Sequence, residues 1–346
     1  MSATDSGNSP PDGLPATVGG SSEAFLIDRI RSRIPPPPPW LVVGIGDDAA
    51  VMERERNRLD VVTTDVVVEG VHFDRRYFPA RAIGFKALAV NLSDLAAMGA
   101  TPRSMTLSLV LPPALGLADF DGLLDGLLSL AAAHRVSIVG GNIARSPGPL
   151  VVDVTASGTV RRRHVLTRNA ARPGDELWLS GTAGAAAAGL GACSAGLASG
   201  AGFDDCVERF LRPEPRVRLG MLVGRTRSAR ACIDLSDGLG DGIRQMASAS
   251  STGAVIEESD LPLSEATSTW FARQGLDPVV SAIAGGEDYE LLFAVAPRQL
   301  RAFLAATRQS GVPVARIGVV TKGSACVVRR ADGREQPLPG GFAHFR

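Results

Sequence analysis

The chain has 346 residues, 45% of them hydrophobic and 21% charged, which suits two domains of ordinary size with real cores. Its 36 Lys and Arg balance 36 Asp and Glu, so no overall basic field draws it to nucleic acid or an anionic membrane. No basic segment leads into an apolar stretch at the start, and no run of about 18 strongly apolar residues occurs, so a cytoplasmic protein with no membrane span is expected. Cys193, Cys206, Cys232 and Cys326 are scattered with no Cys-x-x-Cys pair, as reduced, buried small side chains would be, and the histidines show no zinc spacing.

Residues 1–22 are rich in Ser, Gly and Pro and read as a disordered tail. A short amphipathic helix follows, with Phe25, Leu26, Ile30 and Ile34 on one face, and then a polyproline spacer, Pro35 to Pro39. Leu41 to Val43 leads as a strand into the acidic turn Gly44-Ile45-Gly46-Asp47-Asp48, and Leu59 to Thr63 and Val66 to Val68 are strand-like. A helix is expected over 79–98, strands over 105–111, 136–139 and 150–160, and a helix over 117–133. Residues 161–174 carry a basic run and end in the turn signal Arg172-Pro173-Gly174-Asp175, which sets the boundary between an N-terminal domain, 23–172, and a C-terminal domain, 173–346. Beyond it, a strand at 177–179 and an Ala/Gly-rich helix and loop in 183–202 precede strands at 231–235, 254–257, 290–295, 315–320 and 325–329.

Chemistry concentrates in acidic clusters at element ends: Asp47-Asp48, Asp65, Asp94, Asp234 with Asp237 and Asp241, and Glu287-Asp288. Singly, each reads as a helix cap or turn; together they require something to stand between their charges. Hard oxygen ligands suit Mg²⁺, which bridges carboxylates to phosphate oxygens, so phosphoryl transfer is the chemistry they point to. Thr63, Thr64 and Ser236 offer neutral oxygens, and Arg168 offers a guanidinium fork for phosphate. No P-loop, protein-kinase signature or nucleophile elbow is present, and Gly189-x-Gly191 lacks the third glycine of a dinucleotide fingerprint.

In order along the chain, Gly44 to Ala50, Thr63-Thr64-Asp65, Glu69-Gly70-Val71-His72-Phe73, Lys86 to Ala100, Leu166-Thr167-Arg168, Arg172 to Asp175, Ile233 to Gly238 and Gly285 to Leu291 resemble the motifs of the thiamine-monophosphate kinase family within the AIR-synthetase-like superfamily. The resemblance runs from about residue 23 to the end. It implies an α/β N-terminal domain whose sheet pairs in a homodimer, an α+β C-terminal domain, and an active site between them. It implies transfer from ATP to thiamine monophosphate without a phosphoenzyme, with Asp48, Asp65, Asp94 and Asp234 as the catalytic acids. Carried over by position, Asp48, Thr63, Thr64, Asp65, Asp94, Asp234 and Asp237 would hold Mg²⁺. Gly141, Arg168 and Ser236 would contact ATP, and His72, Glu287 and Phe342 the thiamine phosphate.

One departure stands out. The family pattern Gly-Gly-Asp is here Gly140-Gly141-Asn142. Asn142 would sit beside ATP and Mg²⁺ with a carbonyl oxygen but no charge, so a working kinase with a raised Mg²⁺ requirement is expected. Two alternatives use the same residues: a weakened paralogue that binds nucleotide or thiamine phosphate, and a related ATP-dependent enzyme with another phosphate acceptor.

Overall fold

The computed structural model describes residues 15–197 and 200–341. Residues 15–22, expected within the disordered tail, are ordered against the N-terminal half. Val18 is buried, its N–H donates to Leu115 O at 2.9 Å, and Leu117 N–H donates to Ala16 O at 3.1 Å. An apolar Val with a carbonyl partner outweighs the Ser/Gly/Pro composition there.

Helix α1 (Glu23–Arg31) begins where the Ser22 side chain accepts the Phe25 N–H, and it buries Leu26 and Ile30. After it come β1 (Leu41–Val43), β2 (Val51–Met52) and β3 (Leu59–Val68). The two strand-like stretches expected around residue 64 are thus one strand. Then follow α2 (Ala80–Ala97), β4 (Thr101–Leu111), α3 (Leu117–His134), β5 (Ser137–Arg145) and β6 (Val151–Val160). Strand β5 continues six residues past Val139, through the Gly140-Gly141 pair.

These strands form a four-stranded sheet in the order β3-β6-β4-β5, antiparallel except for β4 with β5. Helices α2 and α3 cover one face. They cross closely because a Cβ on Gly84 would lie 1.8 Å from Leu123 O, and one on Gly126 would lie 1.8 Å from Arg81 O. Helix α2 is buried on nearly every side, which explains its weak amphipathicity: it also packs on α6 and β8 of the second half.

The second half runs β7 (Glu176–Ser180), α4 (Ala185–Ser194), α5 (Asp204–Leu211), α6 (Val217–Thr226), β8 (Ala231–Asp234), α7 (Leu239–Ser250), β9 (Gly253–Glu257), α8 (Glu265–Arg273), α9 (Pro278–Ala284), β10 (Leu291–Val295), α10 (Leu300–Ser310), β11 (Val314–Thr321), β12 (Cys326–Arg329) and β13 (Glu335–Pro337). Its sheet has seven strands in the order β13-β12-β9-β11-β7-β10-β8. The first hydrophobic core is continuous across the halves, joining Leu88 and Leu92 of α2 to Phe210, Val223 and Phe293. A second core lies within the C-terminal half. The α/β and α+β architecture expected from the sequence is present. All four cysteines are free, with Cys206 and Cys232 buried and the other two half-buried.

Candidate active site

Three of the expected acids meet where the halves join. Asp65 projects from the inner face of β3, Asp94 from α2, and Asp234 from the end of β8. Strand alternation sets this up: Thr63 and Asp65 are half-buried toward α2, while Thr64 and Val66 are exposed on the other face. Thr63 Oγ1 donates to Asp94 Oδ2, and Ser93 Oγ donates to Asp234 Oδ2 at 2.8 Å.

Burial, and then the Asp94 charge, push both the Asp65 and the Asp234 carboxyls up to about 7; the Ser93 hydroxyl and Arg168 offset this in part at Asp234. The cluster therefore favours either protons or a cation between its carboxylates. Its donors are all hard oxygens, which fits Mg²⁺. Among the described residues, no three Asp, Glu, His or Cys side chains close around one point.

A cavity of about 320 Å³ opens beside Asp65 and is lined also by His72, Ser236, Asp237 and Glu287, with Val67, Val90 and Leu190 as apolar wall. Glu287 enters it on a left-handed backbone, φ +67°, followed by Tyr289 at φ +50°. Such conformations persist where neighbours hold them. Here Glu287 N–H donates to Ser236 O at 2.6 Å, and Tyr289 N–H to Leu235 O at 2.9 Å. The segment is thereby pinned to the Asp234–Asp237 loop.

Lys86, at the start of the Lys86 to Ala100 motif, ties this wall together. It is 1% exposed, yet its ammonium lies 2.7 Å from Glu287 Oε1 and donates to the His72 carbonyl at 3.0 Å. Phe210 and Phe78 face it with ring centroids at 4.6 and 5.2 Å. The visible signal was a lone lysine in an otherwise apolar helical run. His72 Nδ1 accepts the Val68 N–H at 3.1 Å, so that nitrogen is the unprotonated one in the neutral ring.

The remaining expected residues are dispersed. Asp48, Gly141 and Asn142 line a second cavity of about 690 Å³, which Asp47 and Glu23 also reach. Gly141 has a packing reason to be glycine, since a Cβ would stand 2.0 Å from Leu107 O on the neighbouring strand. Arg168 is exposed and donates to Gln245 Oε1 at 2.5 Å, and its charge reaches Asp234. The Thr64 side chain is on the outer sheet face, where its hydroxyl lies 3.0 Å from that of Thr155, so it does not join Thr63 and Asp65 as expected. Phe342 lies outside the described residues.

Of the acids in Gly285 to Glu290, only Glu287 lines the cavity. Asp288 accepts the Gly184 and Ala186 N–H groups at 2.6 and 3.0 Å at the start of α4. Glu290 is fully buried, forked by Arg216 at 2.6 and 2.7 Å, and also bound by Ser180 and Arg209. Both hold the fold.

A two-domain fold with its acids at the join defines the class. Residues 46–160 match the family described as AIR synthase related protein, N-terminal domain, and residues 172–330 match its C-terminal counterpart. The fold alone is shared with hydrogenase maturation protein HypE, at a TM-score of 0.75 and 20% identity.

Within that class the chain belongs to the thiamine-monophosphate kinase family. It is 36% identical to the thiamine-monophosphate kinase of Rhodopirellula baltica, over 93% of this chain and 95% of that one. It is 37% identical to that of Escherichia coli K12, over 93% and 96%. The crystal structure of the Stenotrophomonas maltophilia enzyme superposes with a TM-score of 0.81 at 39% identity, covering 91% of this chain and 98% of that one. A solved complex described as AaThiL with AMPPCP and TMP superposes at 0.75 with 31% identity, covering 93% and 97%.

Proposed function

We propose that this chain transfers the terminal phosphoryl group of ATP to thiamine monophosphate, giving ADP and thiamine diphosphate. A phosphate oxygen of thiamine monophosphate forms the new bond to the γ-phosphorus, and the bond from that phosphorus to the β–γ bridging oxygen breaks in line. The observation that carries this reading is the Asp65-Asp94-Asp234 cluster beside a cavity containing His72 and Glu287, in a chain of this family.

Asp65, Asp94, Asp234, Asp237 and the Thr63 hydroxyl are the residues that would hold Mg²⁺. Asp48 and the Asn142 carbonyl would do so at the second cavity. Bound there, the metal would neutralise charge on the phosphate oxygens. The protein's own part is positioning. Lys86 fixes the Glu287 carboxylate and the His72 backbone, and the pinned 285–289 segment holds the acceptor side against the carboxylates. Arg168 and Ser236 would take ATP oxygens, with Gly141 and Asn142 on the nucleotide side. The halves 23–172 and 173–346 would each contribute residues to the site at their join.

Asn142 favours a second reading, a binder that transfers poorly. Glu23 and Asp47, beside Asp48 on the same cavity, supply further negative charge and support the kinase. The uncovered sheet face, with Val62 and Val66 exposed at 67% and 43%, supports a homodimer through that face. A cytoplasmic location accords with a kinase that draws on ATP, and no described helix is long and apolar enough to cross a membrane.

The test is incubation with Mg-ATP and thiamine monophosphate, with thiamine diphosphate and ADP measured together. Both should form in equal amounts, and Asp94→Asn should abolish both. Intact binding with no product at any Mg²⁺ concentration would select the weakened paralogue, and ADP released only with another acceptor would select the third reading. Light scattering should give twice the monomer mass, and a monomer at micromolar concentration would remove the dimer.

A further inference from the structure

Arg161, Arg162 and Arg163, which open the basic run after β6, take no part in the proposed reaction. Antiparallel pairing of Leu59 with Val160 sets Arg161-Arg162-Arg163 beside Arg56 and Arg58, which precede β3. Two adjoining cavities of about 580 and 560 Å³ form there and share Arg58, Arg161 and Arg163. The second reaches His164 and, on α6 of the other half, Arg225. Neither shares a lining residue with the cavity beside Asp65.

Only Arg58 is neutralised locally, by Glu55 at 3.2 Å, and it also donates to Thr159 O at 2.8 Å. Among the described residues, the guanidinium groups of Arg56, Arg161, Arg162, Arg163 and Arg225 have neither a carboxylate nor a hydrogen-bond partner. Nearby helix ends do not cancel them. The C-termini of α2 and α6 contribute roughly −0.5 charge each, about −1 together, against five free cations. His164 registers the surplus: burial first, and then Arg163, Arg161, Arg227 and Arg58, hold its imidazole below its ordinary value.

The charge sign and the guanidinium forks suit phosphate oxygens, and cavities of this size hold small ligands. We propose that this junction binds a compact multivalent phosphate anion, a di- or triphosphate, at a site separate from the carboxylate cluster. The site spans the start of the connector between the halves, which runs on to Arg168, so an occupant would tie that connector to both halves. The inference stands independently of the proposed kinase reaction.

The test is calorimetric titration of inorganic tripolyphosphate into the full chain in Mg²⁺-free buffer, with ADP as competitor. The native protein should bind one tripolyphosphate per chain. The surface variant Arg161→Gln/Arg163→Gln/Arg225→Gln, with an unchanged circular dichroism spectrum, should bind at least about tenfold more weakly, as expected from losing three charge-assisted contacts. Arg168→Gln should bind as the native protein does. Displacement by ADP would identify the occupant as a nucleotide, and failure of ADP to compete would identify it as an inorganic polyphosphate. No heat up to millimolar tripolyphosphate, equal binding by the triple variant, or loss of binding in Arg168→Gln would overturn the proposal.

Discussion

Replacing Lys86 by Met tests whether one buried cation organises the acceptor wall. The substitution keeps the stem's apolar bulk and removes the ammonium. It breaks the 2.7 Å pair with Glu287 and the 3.0 Å bond to the His72 carbonyl, and it takes the charge from between Phe78 and Phe210. Breaking a fully buried pair costs about 3–5 kcal/mol, mainly by stranding the partner's charge. Glu287 retains 25% side-chain exposure, so water recovers part of that, and a loss of about 2–3 kcal/mol is expected. Burial alone holds the Lys86 ammonium below its ordinary value, and Glu287 opposes that, so each depends on the other.

The assay is urea denaturation of native protein, Lys86→Met, Glu287→Gln and the double variant, with steady-state kinetics on each. The double-mutant cycle should give a coupling energy of about 2 kcal/mol. If Lys86 positions the acceptor contacts, KM for thiamine monophosphate should rise about tenfold or more in Lys86→Met while KM for ATP stays near native, a split that uniform destabilisation does not produce. Coupling near zero would refute the pair. A stability loss with both KM values unchanged would reduce Lys86 to a fold residue.

Three further outcomes follow from the site. Asp65 and Asp234 sit near 7 in the folded chain against an ordinary 3.8, so the metal-free fold binds more protons than the unfolded chain between those values. The stability they lend is full below about pH 4 and lost as pH rises through about 7. Metal-free Tm should therefore fall between about pH 4 and 7, Mg²⁺ should restore it with proton release, and Asp234→Asn should flatten the slope; a metal-free Tm that rises over that range would contradict this. Asn142→Asp should lower the Mg²⁺ concentration for half-maximal ADP formation several-fold, and an unchanged requirement would show that Glu23, Asp47 and Asp48 already suffice. Glu290→Gln should cost about 2–4 kcal/mol in urea denaturation by removing the buried carboxylate that Arg216 and Arg209 share and leaving Arg216 only the exposed Glu214, while activity per folded molecule persists at low temperature.

Much of the site was legible because its signals are local. Asp94 near the end of a helix and Asp234 at a strand end follow from periodicity and turn residues, whereas Asp65, expected between two strands, lies inside the single strand β3. What their spacing hides is which face each side chain takes. Thr64 lies between two ligand candidates in sequence, yet strand alternation turns it to the outer face with Thr155. Likewise Gly285 to Glu290 offers three acids in four positions, and only the register of β10 between β7 and β8 decides that Glu290 meets Arg216 while Glu287 meets the cavity. Lys86 was invisible as a functional residue because its partners come from residues 72, 210 and 287. The fate of residues 15–22 turned on a single buried valine that composition could not weigh.

The Asn142 departure also takes a different form in three dimensions. Asp153, the next acid after it in the chain, is opposite Ser108 on β4, and Ser108 is opposite Asn142 on β5. The three thus form one row across the sheet, and two inter-strand steps separate Asp153 from Asn142 by about 10 Å. That is beyond the ~2.1 Å reach of a shared Mg²⁺ contact, so Asp153 cannot replace the missing carboxylate. Asp48, Asp47 and Glu23 come from the other side of that cavity, on the β1–β2 loop and the first turn of α1. Any recovery of charge at this position depends on how α1 and that loop seat against the sheet. Arg29 and Arg33 fix α1 to Asp121 and Asp125 of α3, with contacts of 2.6 and 2.7 Å, and so hold Glu23 at the cavity mouth. The N-terminal helix therefore lines the cavity where Mg²⁺ is proposed, although none of its residues belongs to a motif that named the family.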